Sequence, residues 1–163
     1  MDIHENWPRI RAAFEAGVRA SRFCAIATTG PDGTPHVTPI GFVFARDDAT
    51  LYYFEEHPRR LPANLEHDPR VCVLAVDRSS RLWGQFLLRG RFPSPPGVRL
   101  IGVAGARRAA SAEEREALRR RTGPMRHLPG AKLIWGNLEH VRDIRVERCE
   151  PVTYRGVTDD LGG

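Results

Sequence analysis

The sequence predicts a mainly β, α+β fold: an antiparallel β-barrel with flanking helices. Two observations carry this. Short apolar segments separated by strong turn chemistry dominate the first 92 residues, and amphipathic helical spacing appears only at the N-terminus, after the third strand and near residue 111. The 163-residue length supplies one hydrophobic core and no more, so a single domain is expected over 1–163.

Ile3, Trp7, Ile10, Phe14 and Val18 fall at helical steps, which predicts an N-terminal helix over 1–20 that caps the core. The period then changes. Phe23 to Thr29 reads as a strand, Gly30-Pro31-Asp32-Gly33 as a tight turn, and Thr34 to Ala45 as a longer strand. Arg46-Asp47-Asp48-Ala49 turns the chain again into Thr50 to Phe54. Three consecutive strands joined by tight turns predict an antiparallel meander.

His57-Pro58 ends that pattern. Leu61 and Leu65 predict a short helix from Arg59 to His67, stopped at Asp68-Pro69, with Pro62 tolerated in its first turn. Val71 to Val76 and Gly84 to Phe92 read as the next strands, completing a barrel core over 23–92. The Pro-, Gly- and Arg-rich stretch 93–110 reads as a loop or a poorly formed strand. Ser111 and Glu114 form a capping-box start for a helix over 111–122. Residues 132–138 and 141–154 read as a closing strand pair.

Charge and cysteine usage narrow the function. The formal net charge is +5, and Lys132 is the only lysine among 25 basic residues. The arginines are spread along the chain, away from the aromatic residues, so no nucleic-acid surface is expected. No apolar run reaches the roughly 18 residues of a membrane span, and the start lacks the basic and apolar stretches of a secretory signal. Cys24, Cys72 and Cys149 form neither an even disulfide framework nor a CxxC pair. A cytoplasmic protein without a membrane partner is expected. The six histidines show no metal-ligand spacing, and no metal site is expected.

Two stretches carry chemistry. In Pro35 to Phe42, Pro39 and Gly41 share one strand face; proline removes a ladder donor and glycine a side chain, leaving a flat platform for a planar heterocycle or an edge strand with a bulge. At Arg59 and Arg60, two guanidinium forks meet a helix N-terminus; this is either a phosphate site or a solvated pair offset by Glu55 and Glu56. Tyr53 and Phe54 line either the pocket or the core.

These segments together resemble the pyridoxamine 5'-phosphate oxidase-like family of flavin-binding split barrels. The resemblance runs over about 70 residues, from Phe23 to Phe92, and is carried by Cys24 to Ile40, by Arg59 to Leu65, by Asp68-Pro69-Arg70-Val71-Cys72-Val73 and by Gln85 to Gly90. It implies a split β-barrel that forms a homodimer and holds FMN in clefts between subunits. It further implies that Thr38, Pro39 and Ile40 line the isoalloxazine ring beside Phe54, that Arg59 and Arg60 hold the phosphate, and that Gln85 reaches the ring's polar edge. Trp83 packs in the core, at the dimer interface or over the ring.

The departures matter too. The oxidase proper has an arginine at Thr38, a serine at Arg59 and a lysine at Leu61, and its C-terminal substrate-binding pattern is missing from Trp135-Gly136-Asn137-Leu138. The expectation is therefore an FMN-dependent oxidoreductase acting on a small-molecule substrate other than pyridoxamine phosphate, with no evident catalytic acid or base. The alternatives are a deazaflavin F420- or haem-binding relative and a non-catalytic flavin carrier.

Overall fold

The computed structural model describes residues 2–154 and Thr158; the remaining ends of the expected 1–163 domain lie outside the described residues. Helix α1 (Ile3–Ser21) starts on Asp2, whose carboxylate accepts from the N–H groups of His4 (2.7 Å) and Glu5 (3.3 Å). Its stripe of Ile3, Trp7, Ile10, Phe14 and Val18 is buried against the sheet. Gly17 allows the closest approach, since a Cβ there would meet Ala75 and the Val76 nitrogen at 3.0 Å.

Seven strands form one antiparallel sheet: β1 (Cys24–Thr29), β2 (Pro35–Ile40), β3 (Val43–Ala45), β4 (Thr50–Phe54), β5 (Arg70–Val76), β6 (Gly97–Ala109) and β7 (His140–Pro151). Their order is β2-β1-β5-β6-β7-β4-β3. The expected meander is corrected by this order. The long strand predicted over 34–45 breaks at Gly41-Phe42, so its first half pairs with β1 and its second half with β4. Ile40 and Val43 are three Cα steps apart, at most about 11 Å, yet they end strands on opposite margins of the sheet. That short link holds the two margins together and curls the sheet into a split barrel.

Helix α2 (Arg60–His67) forms as predicted and is pinned to β1 by Asn64, whose amide donates to Thr28 Oγ1 at 3.0 Å. Two other expectations fail, and a third resolves to one of its two alternatives. Gly84 to Phe92 is not a strand: Ser79 accepts from the Leu82 N–H at 3.4 Å, Gly90 closes the far end at φ 69°, and between them lies helix α3 (Ser80–Arg89). Residues 97–109, within the stretch 93–110 read as a loop or a poorly formed strand, are the longest described strand, bulged between Ile101 and Gly102 and between Ala104 and Arg107. After α4 (Ala112–Thr122), which has the predicted capping box, residues 132–138 are not a closing strand; Pro129 instead opens helix α5 (Pro129–Trp135). No described helix is long and apolar enough to cross a membrane.

A candidate cofactor cleft at the barrel break

The break that closes the barrel also opens a cleft of about 440 Å³. Thr38, Pro39 and Ile40 of β2 form one wall, and Gly41 and Phe42 continue it through the break. Phe54, His57 and Pro58 line it from the end of β4 and the turn that follows, and Ile134 and Trp135 of α5, with Leu138 just after it, close the other side. Among the described residues β2 pairs with β1 alone, so Pro39 sits on an edge strand, where proline is tolerated. Phe42 meets Trp135 edge to face, with centroids 5.4 Å apart.

The walls are mostly apolar, with one exposed need. The Thr38 hydroxyl oxygen is cut off from solvent and has no hydrogen-bond partner among the described residues. A buried hydroxyl without a partner is costly, on the order of 1–3 kcal/mol, and a ligand with a polar edge would relieve it. His57 is the one described histidine lining the cleft, and its Nε2 is engaged by the Ile134 carbonyl oxygen.

The structure thus brings together Thr38, Pro39, Ile40 and Phe54. Phe54 is both wall and core, packing with Phe44 and Tyr52, while Tyr53 lies wholly in the core. Arg59 and Arg60 follow directly on the His57-Pro58 turn and are exposed at the start of α2, whose first turn has no side-chain cap. Gln85 does not join them. It lies in the middle of α3, outside the lining of this cleft, because the strand expected to present it is a helix. Trp83 belongs to a local aromatic group with Phe86 and Phe92.

Sequence reasoning missed the group that holds the cleft's floor in place. Glu55, one residue beyond Phe54, is buried and receives Arg142 in a bidentate pair, Nε to Oε1 at 2.6 Å and Nη2 to Oε2 at 3.0 Å. Tyr53 donates to the same carboxylate at 2.6 Å, and Arg142 also donates to the Gly105 carbonyl at 2.8 Å and to Glu66 at 3.0 Å. Burial is the largest single influence on the Arg142 guanidinium and pulls it down, but the hydrogen bond and charge of Glu55 together with the Glu66 contact carry it above its ordinary value. Burial, then Glu55, push the Tyr53 phenol well up. Glu56 completes the clamp by accepting from the backbone N–H groups of Glu139 (2.8 Å) and His140 (2.5 Å). In the sequence, Glu55 and Glu56 read only as counter-charges to the neighbouring arginines; their partners lie more than 80 residues away.

A second clamp sits on the other side of β7. Arg46 and Arg108 share Glu114 and Asp143, with Arg108 at 2.6 Å from Glu114 and 2.7 Å from Asp143. Burial alone would raise both carboxyls, yet Arg108 and its neighbours hold them below their ordinary values, Glu114 at about 2.

A curled antiparallel sheet, broken at one strand beside a mostly apolar cleft, defines a split barrel. The pyridoxamine 5'-phosphate oxidase family model matches residues 10–145, and the chain belongs to that family. The fold is similar to that of an FMN-binding protein from Syntrophomonas wolfei subsp. wolfei, at 13% identity over 92% of this chain and 88% of that one, with TM-score 0.64. It is also similar to HutZ, the heme storage protein from Vibrio cholerae, at 14% identity over 93% and 95% with TM-score 0.56. A third similar structure is an F420 reductase, at 20% identity over 84% and 95% with TM-score 0.55. No curated protein matches the sequence.

Proposed function

We propose that the cleft binds FMN and that the protein is an FMN-dependent oxidoreductase of a small-molecule substrate, working as a homodimer. The observation that carries this reading is the Thr38 hydroxyl, buried without a partner among the described residues on the β2 wall of a mostly apolar cleft. An isoalloxazine ring offers flat apolar faces and a polar edge, which is what these walls lack. The family and the FMN-binding structural relative support the same reading.

Each residue then has a defined task. Pro39, Ile40 and Phe54 pack on the ring, Thr38 hydrogen-bonds its edge, and Phe42 and Trp135 exclude water at the far end. Arg59 and Arg60, with the uncapped N–H groups of α2, take the phosphate. A bound flavin supplies hydride acceptance and onward electron transfer; this chain supplies orientation and a dry surround. His57, engaged through Nε2 with the Ile134 carbonyl, favours flavin over haem, since an axial ligand would have to give up that contact. Leu87 and Leu88 on α3, 77% and 89% exposed, support a face covered by a second copy.

Thr38→Val tests the central assignment because it moves two quantities in opposite directions. The apoprotein should gain stability, as an unmet buried hydroxyl is replaced by an isosteric methyl, while FMN affinity should fall about tenfold, the scale of one hydrogen bond. Unchanged FMN affinity by fluorescence titration would remove Thr38 from the site.

A further inference from the structure

The cleft does not end at Phe42. Beyond the Gly41-Phe42 break and Trp135, which wall both spaces, a second recess of about 650 Å³ opens between the C-terminal ends of α1 and α4. Three guanidinium groups line it, Arg19 of α1, Arg22 at its C-cap and Arg121 of α4, and among the described residues no carboxylate does. Arg22 is fixed by a left-handed backbone, φ 65°, with its N–H on the Val18 carbonyl at 2.9 Å. Arg121 lies over the Phe44 ring at 4.5 Å. Among the described residues neither Arg22 nor Arg121 makes an ion pair; Arg19 has Glu15 at 3.6 Å, which is shared with Arg11.

Cations at helix C-termini ordinarily answer the helix dipole. Here they exceed it. Two helix ends present about half a negative charge each, and Glu15 adds one, which leaves roughly one positive charge without a partner beside the apolar walls Val18, Phe42 and Met125. Burial draws the Arg121 guanidinium below its ordinary value, and the nearby Glu15 charge offsets this only in part.

We propose that this recess binds the anionic end, a carboxylate or phosphate ester, of the small molecule that reacts in the neighbouring cleft, with its apolar part against Phe42 and Trp135. The proposal rests on the flavin reading for the reaction, and it adds the substrate class: an apolar or aromatic acid. The recess lies at the Phe42 end of the cleft, whereas Arg59 and Arg60, assigned to the cofactor phosphate, follow the His57-Pro58 turn. The same anion chemistry also fits the cofactor's own tail, so the test must separate the two sources.

The full chain, free of FMN, is titrated calorimetrically with benzoate and with benzyl alcohol, its neutral counterpart. Benzoate is expected to bind at least about tenfold more tightly, the scale of one charge-assisted contact. Arg22→Gln/Arg121→Gln should lose that preference, Arg22→Lys/Arg121→Lys should keep most of it, and Arg60→Gln should leave it unchanged. FMN affinity, measured separately, should be the same in Arg22→Gln/Arg121→Gln as in the parent. Equal binding of the two probes, or no benzoate binding, overturns the proposal. So does a loss of FMN affinity in Arg22→Gln/Arg121→Gln with none in Arg60→Gln, because the recess would then hold the cofactor phosphate. Benzoate binding in a chain that rejects FMN would sink the flavin reading and uphold the anion recess.

Discussion

Arg142→Met should be among the most damaging single substitutions in the chain. The Glu55 side chain is fully buried, and the substitution removes its two contacts with Arg142, at 2.6 and 3.0 Å. What remains is the Tyr53 hydroxyl at 2.6 Å and Arg107 at 3.9 Å, too little to hold a buried carboxylate. Stranding one member of a buried pair costs about 3–5 kcal/mol, and in a chain of this length each kcal/mol lowers the melting temperature by about 2–4 °C. The expected drop is therefore about 6–20 °C in thermal unfolding followed by circular dichroism. Tyr53→Phe/Glu55→Leu/Arg142→Met removes the whole polar group instead, and apolar replacement of a buried ion pair is close to neutral, so most of the loss should be recovered. A single variant that melts within about 2 °C of the parent would refute the reasoning, and so would a triple variant no better than the single one.

Other consequences follow from the same contacts. Because Glu114 is held at about 2 against an ordinary 4.5, its contribution to stability is fully present above that ordinary value and is lost as the pH falls toward 2. The melting-temperature gap between parent and Glu114→Gln should accordingly be constant near neutrality and close on acidification; a gap that persists at pH 2 would contradict the clamp. Cys24 is buried with its thiol pushed up to about 12. In the native protein it should react with a disulfide reagent more slowly than Cys72 or Cys149, as mass spectrometry of labelled peptides would read, and equal labelling would show that β1 opens readily.

The features legible in the sequence were those fixed by local chemistry. The stripe from Ile3 to Val18, the Gly30–Gly33 turn, the Ser111 capping box and the Asp68-Pro69 stop each act within a few residues. The errors came where one local signal was read without its neighbour. The alternation of Phe86, Leu88 and Phe92 suggested a strand, although Ser79 and Gly90 flank it as a helix start and stop. The Pro-, Gly- and Arg-rich composition of 93–110 left a loop and a poorly formed strand both open; a Cβ at Gly102 would lie 2.1 Å from the Arg145 carbonyl oxygen, so the glycine is what lets the bulged strand approach β7. Of the cleft lining, Pro39 and Gly41 stood out locally as a flat stretch of strand, whereas Thr38, Ile40 and Phe54 were pointed to only by the family resemblance. The Glu55–Arg142 clamp and the arginine recess were not legible, since each joins groups that only the closed barrel brings together.

The most direct test is the visible spectrum of the purified protein after incubation with FMN and gel filtration. A flavin spectrum that travels with a dimer-sized peak, and is weakened in Thr38→Val, is the predicted result. A protein that stays colourless with FMN but takes up deazaflavin F420 or haemin under the same conditions would contradict it and reassign the cleft.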